Sequence, residues 1–200
     1  TLGIGPEDRA LVAGSTHDGE ESVLLEVYRE ILERRPDFKL ILIPRHIERG
    51  DAVTDLVRRA GFPDVIRMSA IRNGQVRQGE RVIVVDVIGE LFKVYSLTDV
   101  VCCGGSLVPK GGQNLLEAAA WGKVVFYGPF MDDFRDERAL LEEAGAGTTV
   151  RNREELSAGI LGLLDHPELL REKGEAGRKA VAANRGAAAR YAELIAGQLK

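Results

Sequence analysis

Two hundred residues, 44% apolar and 29% charged, have the makeup of a soluble globular chain and argue against wholesale disorder. The 27 basic and 31 acidic side chains leave a net charge of −4, which provides no basic footprint for nucleic acid. The two cysteines are adjacent, at Cys102 and Cys103; this excludes a disulfide framework and reads as a reduced, intracellular chain, and no Cys/His cluster has the spacing of a structural zinc site.

Thr1 to Pro6 has no charged start followed by an apolar stretch, so it is not a signal peptide. It also lacks an initiator Met, as a fragment or a processed chain would. Leu11–Gly14 is a short apolar run closed by a turn residue. Gly19–Arg35 follows at helical spacing, with Val23, Leu24, Val27 and Ile31 on one face, and Pro36-Asp37 stops it. Lys39–Ile43 is apolar on both faces, as a buried parallel strand requires, and Pro44 ends it. Asp51–Gly61 predicts a helix with Val53, Leu56 and Val57 inward. Val65–Met68 is a weaker strand, and the polar stretch Arg72–Glu80 an exposed loop. Arg81–Asp86 predicts a strong strand, Gly89–Leu97 a short helix, and Val100–Cys103 a buried strand ended by Gly104-Gly105. Gly112–Trp121 predicts a helix opening on glycines, Val124–Tyr127 a strand, Asp133–Ala144 a helix and Gly147–Val150 a short strand. The stretch from Glu154 to Leu199 is helix-dominated and Ala-rich. No apolar run approaches the ~20 residues of a membrane span.

Strands alternating with helices predict an α/β fold, a doubly wound, Rossmann-like parallel sheet. A single domain over 1–200 is the simplest account, with the helices of about 152–200 packing on the sheet. Val82–Val85 and Val100–Cys102 are expected as central strands, since their unbroken apolar runs need burial on both faces.

In open α/β sheets ligands bind beyond the carboxyl ends of the strands, so the residues just after each strand carry the information. Gly14-Ser15-Thr16-His17, Pro44-Arg45-His46, Asp86 to Glu90, Gly104 to Pro109 and Gly128-Pro129-Phe130 occupy those places. The stretch Gly104 to Glu117 holds four glycines, which admit close approach of backbone to a ligand. A helix opened by Gly111-Gly112 would attract an anion to its N-terminus. Asn114 and Glu117 are three apart and share a helix face, so a phosphate at the N-terminus with Glu117 on a ribose suits that face; an N-cap at Asn114 with a solvated Glu117 is the plainer alternative. Arg45 and Arg49 could clamp a carboxylate or phosphate, or simply decorate a charged loop. Cys102 and Cys103 read as packing residues. No Walker A sequence and no G-x-G-x-x-G after the first strand occurs, which weakens P-loop and NAD-dependent readings.

Four segments in order, Ala13-Gly14-Ser15-Thr16-His17-x-Gly19-Glu20-Glu21, Pro44-Arg45-His46-x-Glu48-Arg49, Gly89-Glu90-Leu91 and Cys103-Gly104-Gly105-Ser106-Leu107-Val108-Pro109-x-Gly111-Gly112-x-Asn114-x-x-Glu117, resemble the 3-deoxy-D-manno-octulosonic acid (Kdo) transferases of lipopolysaccharide synthesis. The likeness runs from about Leu11 to the C-terminal helices. It implies the C-terminal, donor-binding half of a GT-B glycosyltransferase, with CMP-Kdo as donor and a lipid A precursor as acceptor. It places CMP contacts at Arg45 and His46, at Ile88, Gly89 and Glu90, and at Asn114, Leu115, Leu116 and Glu117. Ser15 and Thr16 would line the cleft beneath the donor sugar, with Gly105, Ser106, Gly111, Gly112 and Gln113 completing the glycine-rich wall. Gln113 stands where the family usually has His, and Gln keeps a donor but cannot become a cation.

The resemblance further implies that the catalytic base, the acceptor site and a membrane-associating segment belong to an N-terminal half absent from this chain. The 200 residues alone are then expected to be inactive, and no catalytic residue is assigned among them. The whole protein is expected at the cytoplasmic face of the inner membrane, this piece being soluble. No metal or other cofactor is expected, because helix dipoles and basic side chains stabilise the leaving nucleotide. The alternatives are another GT-B nucleotide-sugar enzyme, a transferase or an epimerase, and a standalone nucleotide-binding module.

Overall fold

The computed structural model describes residues 2–5 and 8–184. Seven strands alternate with helices: β1 (Ala10–Thr16), α1 (Glu20–Arg34), β2 (Lys39–Pro44), α2 (Gly50–Arg59), β3 (Val65–Arg67), α3 (Met68–Arg72), β4 (Val82–Val84), α4 (Leu91–Tyr95), β5 (Val100–Cys103), α5 (Leu116–Ala120), β6 (Val124–Tyr127), α6 (Arg135–Glu143), β7 (Gly147–Thr149), α7 (Arg153–Leu164) and α8 (Pro167–Asn184). All are parallel in one sheet of order β3-β4-β2-β1-β5-β6-β7. The chain winds outward from β1 through β2, then crosses back after β4 to lay β5, β6 and β7 on the other side. The strand order therefore reverses between β1 and β5, the kind of position where open α/β sheets open a crevice.

Alternation along each strand divides the core into two layers. Leu11, Ala13, Leu40, Leu42, Val100 and Cys102 face α1, α2 and α7. Val12, Ile41, Ile43, Val101 and Cys103 face the side covered by α4, α5, α6 and α8. Val82–Val84 and Val100–Cys103 are buried throughout and interior to the sheet, as their two-faced apolar character demands; the midpoint itself is β1. The phenol of Tyr28 on α1 reaches the core because its hydroxyl donates to the Phe38 carbonyl at 2.8 Å. At α7, the Asn152 side chain caps the helix by accepting from the Glu155 N–H at 2.8 Å.

The predicted strands are all present; Val100–Cys103 and Val124–Tyr127 keep their bounds, and the ends of the others shift by at most two residues. The helices differ more. Met68–Arg72 forms a helix that the sequence reading passed over. The helix expected over Gly89–Leu97 shrinks to Leu91–Tyr95, and that over Gly112–Trp121 to Leu116–Ala120. The helical C-terminal third is present as α7 and α8, while the expected helix beyond 184 lies outside the described residues. No helix of the described residues is long and apolar enough to cross a membrane.

Candidate functional site

The sequence-predicted site residues lie at the carboxyl ends of four neighbouring strands, in the order β4, β2, β1, β5. At the end of β1, Ser15 takes a left-handed φ of 57°, and the pairing with β2 slips between Gly14 and Thr16. A non-glycine residue there is strained, and the neighbouring strand makes the turn possible. A Cβ on Gly104 would collide with the Ser15 carbonyl, so only glycine lets β5 lie this close. The Arg45 N–H then donates to the Thr16 carbonyl at 2.9 Å, tying the turn after β2 to the turn after β1.

Two acidic residues hold these turns in place. Glu20, the first residue of α1, is buried, and its carboxylate accepts four backbone N–H groups. Oε2 takes His17 and Gly105, each at 2.8 Å; Oε1 takes Ser106 at 3.1 Å and Leu107 at 2.9 Å. Glu21, also buried, accepts the Thr16 hydroxyl at 2.8 Å and grips the Arg49 guanidinium at 2.6 and 3.1 Å. Acids in the first turn of a helix are favoured by its dipole. Here the geometry adds a reason: each carboxylate satisfies donors from another part of the chain. Ser106 continues the scheme, donating to the Cys103 carbonyl and accepting the Gly128 N–H at 2.9 Å. The sequence offers Arg49 as a clamp for a ligand anion, whereas the structure ties it to Glu21; the sequence assigns Glu20 and Glu21 no role in the site. The available signal was a pair of consecutive acids at a helix start beside a glycine-rich strand end.

The glycine-rich stretch differs from expectation in one respect. Gly105, Gly111 and Gly112 have φ of 68°, 79° and 82°, incompatible with a right-handed helix, so Gly111-Gly112 do not open one. The chain enters α5 only at Leu116, after Asn114 Oδ1 has accepted the Leu116 N–H at 3.0 Å. Asn114 thus precedes the helix. Its Nδ2 still lies 3.4 Å from Glu117 Oε1, so the two side chains do meet. Both line a hollow of about 270 Å³ with Phe92, Leu116 and Val181. Leu115 faces the core, which leaves only its backbone for a ligand. Gln113 is half-buried, and its carbonyl accepts from the Cys103 thiol at 3.5 Å.

Arg45 and His46 are exposed after β2, and the His46 ring meets the His17 ring edge-on with centroids 5.8 Å apart. Ile88 and Gly89 form an exposed turn after β4, with Gly89 at φ 82°. Glu90 spends its carboxylate on Arg72 at 2.6 Å. Beneath the end of β1, Tyr95 packs against Gly14; burial pushes its phenol well up, and Cys103 and Glu117 act in the same direction. Burial likewise pushes the Cys103 thiol up to about 12 and that of Cys102 well above the usual range, so both stay protonated packing groups. Burial lowers the His17 imidazole, with Glu20 opposing and His46, Lys110 and Arg49 reinforcing the shift. Among the described residues, no three His, Cys, Asp or Glu side chains cluster as metal ligands. A larger hollow of about 440 Å³, lined by Arg34, Arg35, Phe38 and Leu170, lies at the amino ends of the strands, away from this row.

No protein-family model matches the chain. Its sequence is 34% identical over 191 residues to a 3-deoxy-D-manno-octulosonic acid transferase of Haemophilus influenzae, covering 94% of this chain and 44% of that protein. It is 38% identical over 162 residues to the enzyme of that name from Aquifex aeolicus, covering 81% and 44%. The chain thus spans less than half the length of these relatives. Among solved structures it superimposes with a TM-score of 0.80 and 26% identity on the C-terminal CMP-Kdo binding domain of WaaA from Acinetobacter baumannii, covering 88% of this chain and 90% of that one. The all-parallel sheet with helices on both faces is that of a GT-B glycosyltransferase C-terminal domain. The chain is a homologue of the 3-deoxy-D-manno-octulosonic acid transferases and corresponds to the C-terminal part of that fold.

Proposed function

We propose that this chain is the donor-binding part of a Kdo transferase, holding CMP-Kdo while the sugar passes to a lipid A precursor in lipopolysaccharide synthesis. The observation that carries this reading is the row of candidate contacts across four adjacent strand ends. The Ile88–Glu90 turn follows β4, Arg45 and His46 follow β2, Ser15 and Thr16 end β1, and the stretch from Gly105 to Glu117 follows β5. A nucleotide laid along this row meets an exposed turn, a guanidinium and a carboxylate suited to a ribose hydroxyl.

In the reaction an acceptor hydroxyl attacks the anomeric carbon of Kdo. The bond from that carbon to the phosphate oxygen breaks, and its electron pair leaves with CMP. Charge builds on the departing phosphate, where the Arg45 guanidinium stabilises it without a metal ion. The base that takes the acceptor proton, the acceptor site and the attachment to the cytoplasmic face of the inner membrane belong to the rest of the protein.

Calorimetric titration of the chain with CMP, UMP and AMP tests this reading. CMP should bind measurably, and more tightly than UMP or AMP. No binding of CMP, or equal binding of all three, overturns it.

A further inference from the structure

Residues 2–5 belong to no helix or strand, yet they are fixed to the face of the sheet that α4 covers. Leu2 is only 3% exposed. It lines a hollow of about 460 Å³ together with Met68 and Ile71 of α3, Val94 of α4 and Leu97 just after it. The backbone is held as well. Arg77 donates through Nη1 to the Leu2 carbonyl at 3.1 Å and to the Gly3 carbonyl at 2.9 Å, and through Nε to the Glu80 carbonyl at 3.1 Å. Carbonyls outside any ladder need such a partner where they lie against the protein. One guanidinium thus straps residues 2–5 to the polar loop that follows α3.

The helix α3 stands between this strap and the nucleotide row. Both its ends are stapled to the stretch after β4. The Asp86 carboxylate accepts the Ser69 N–H at 2.8 Å and the Ser69 hydroxyl at 2.5 Å. The Glu90 carboxylate accepts from Arg72 at 2.6 Å. Only residues 87–89 lie between the two staples, and they include Ile88 and Gly89, the exposed part of the turn assigned above to the nucleotide. The position of α3 therefore fixes that of the turn. On the other side, Leu2 shares one hollow with α3 and with α4, which starts directly after the second staple. Lys93 shows which part of the Arg72–Glu90 pair matters here. Its Nζ lies 3.8 Å from Glu90 Oε1, but Lys93 belongs to α4, so it neutralises Glu90 without tying the turn to α3.

We propose that residues 2–5 and Arg72 preorganise the nucleotide turn: Leu2 sets the seat of α3, and Arg72, a positioning residue, transmits that seat to Glu90. This control rests on the donor reading above and adds to it a mechanical link from the strap to the site. A turn already held in its bound shape lowers the entropy lost on binding. Linkage makes the effect reciprocal, so a bound nucleotide tightens the strap by the same factor.

The test has two arms. In the first, wild type, Leu2→Ala, Arg72→Ala and the double variant Leu2→Ala/Arg72→Ala are titrated with CMP, and thermal melting checks folding. Arg72→Ala should lose about three- to fivefold in affinity, the most that a half-exposed ion pair transmits. Leu2→Ala should lose about two- to fivefold, since it acts through that pair. The double variant should bind as Arg72→Ala does, whereas independent effects would multiply. The second arm reads the strap. Trypsin cuts after arginine, and Arg77 is shielded while its guanidinium holds Leu2 and Gly3. CMP should slow cleavage after Arg77 in wild type by about the factor seen in the titration, and leave it unchanged in Arg72→Ala. Arg72 is exposed, so its variant tests the link even if the Leu2 variants fold poorly. Unchanged CMP affinity in either folded single variant, or losses that multiply in the double variant, overturn the link and leave the donor reading standing. Cleavage after Arg77 that CMP does not slow in wild type, or slows equally in Arg72→Ala, does the same. A wild-type chain that does not bind CMP overturns both.

Discussion

Glu21 and Arg49 are 28 residues apart in sequence and form a bidentate pair, with guanidinium nitrogens 2.6 and 3.1 Å from the two carboxylate oxygens. The acid is wholly buried and the arginine is 24% exposed, so the carboxylate relies on this partner and on the Thr16 hydroxyl for its solvation. The hydrogen bond to Glu21 also raises the arginine further above its ordinary range. Arg49→Ala should cost about 3 kcal/mol, the range for removing one member of a buried pair. The double variant Glu21→Gln/Arg49→Met should cost less than Arg49→Ala alone, because no charge is then stranded. Urea unfolding of the three proteins checks the order, and a double variant worse than the single one contradicts it.

Glu20 offers a second test. Its two oxygens each take two backbone N–H groups. Glu20→Gln turns one acceptor into a donor facing two donors. Stability should fall by about 2–6 kcal/mol, at 1–3 kcal/mol for each of the two orphaned N–H groups. A loss below about 1 kcal/mol would mean that the loop after β5 holds its shape unaided.

His17 predicts a pH effect. Its imidazole is lowered in the folded chain, so between the folded and unfolded values the unfolded chain binds more protons. Folding stability should therefore rise with pH up to about 6.5 and then level off for this group. His17→Gln should flatten that rise. The check is the difference in unfolding free energy between wild type and variant at several values from about pH 5 to 7.5; an unchanged slope removes His17 as its source.

Glu117 should matter for binding more than for folding. A carboxylate accepting from a ribose hydroxyl contributes about 1.5–3 kcal/mol, so Glu117→Ala should weaken CMP binding roughly ten- to a hundredfold. Glu117→Gln should cost less, since the amide still accepts one bond. Unchanged CMP affinity in a folded Glu117→Ala protein takes Glu117 out of the site.

The long apolar strands were readable because burial on both faces leaves no polar alternation, as in Leu40–Ile43 or Val100–Cys103. The row of polar turns followed from them, since a strand end fixes where a ligand is met. The five-residue helices were not readable. Met68–Arg72 and Leu116–Ala120 are too short to show a period, and what sets the start of α5 is the backbone at Gly111 and Gly112. Glu20 and Glu21, though part of a recognisable motif, show no role in the sequence for a different reason. Acids in a first helical turn look solvent-exposed, and only the tertiary fold brings Gly105–Leu107 and Arg49 onto them.

The two border strands of the sheet, β3 and β7, are three residues each. A long unpaired border invites another chain to add itself by backbone pairing, while a short one offers almost no ladder to extend. Val65–Arg67 carries a charge, and Gly147–Thr149 presents a glycine and two threonines. The strongly apolar segments are locked in the middle, each with a neighbour on both sides. Lateral growth into fibrillar aggregates therefore requires the interior of the sheet to open first, so loss of solubility on heating should track global unfolding rather than precede it.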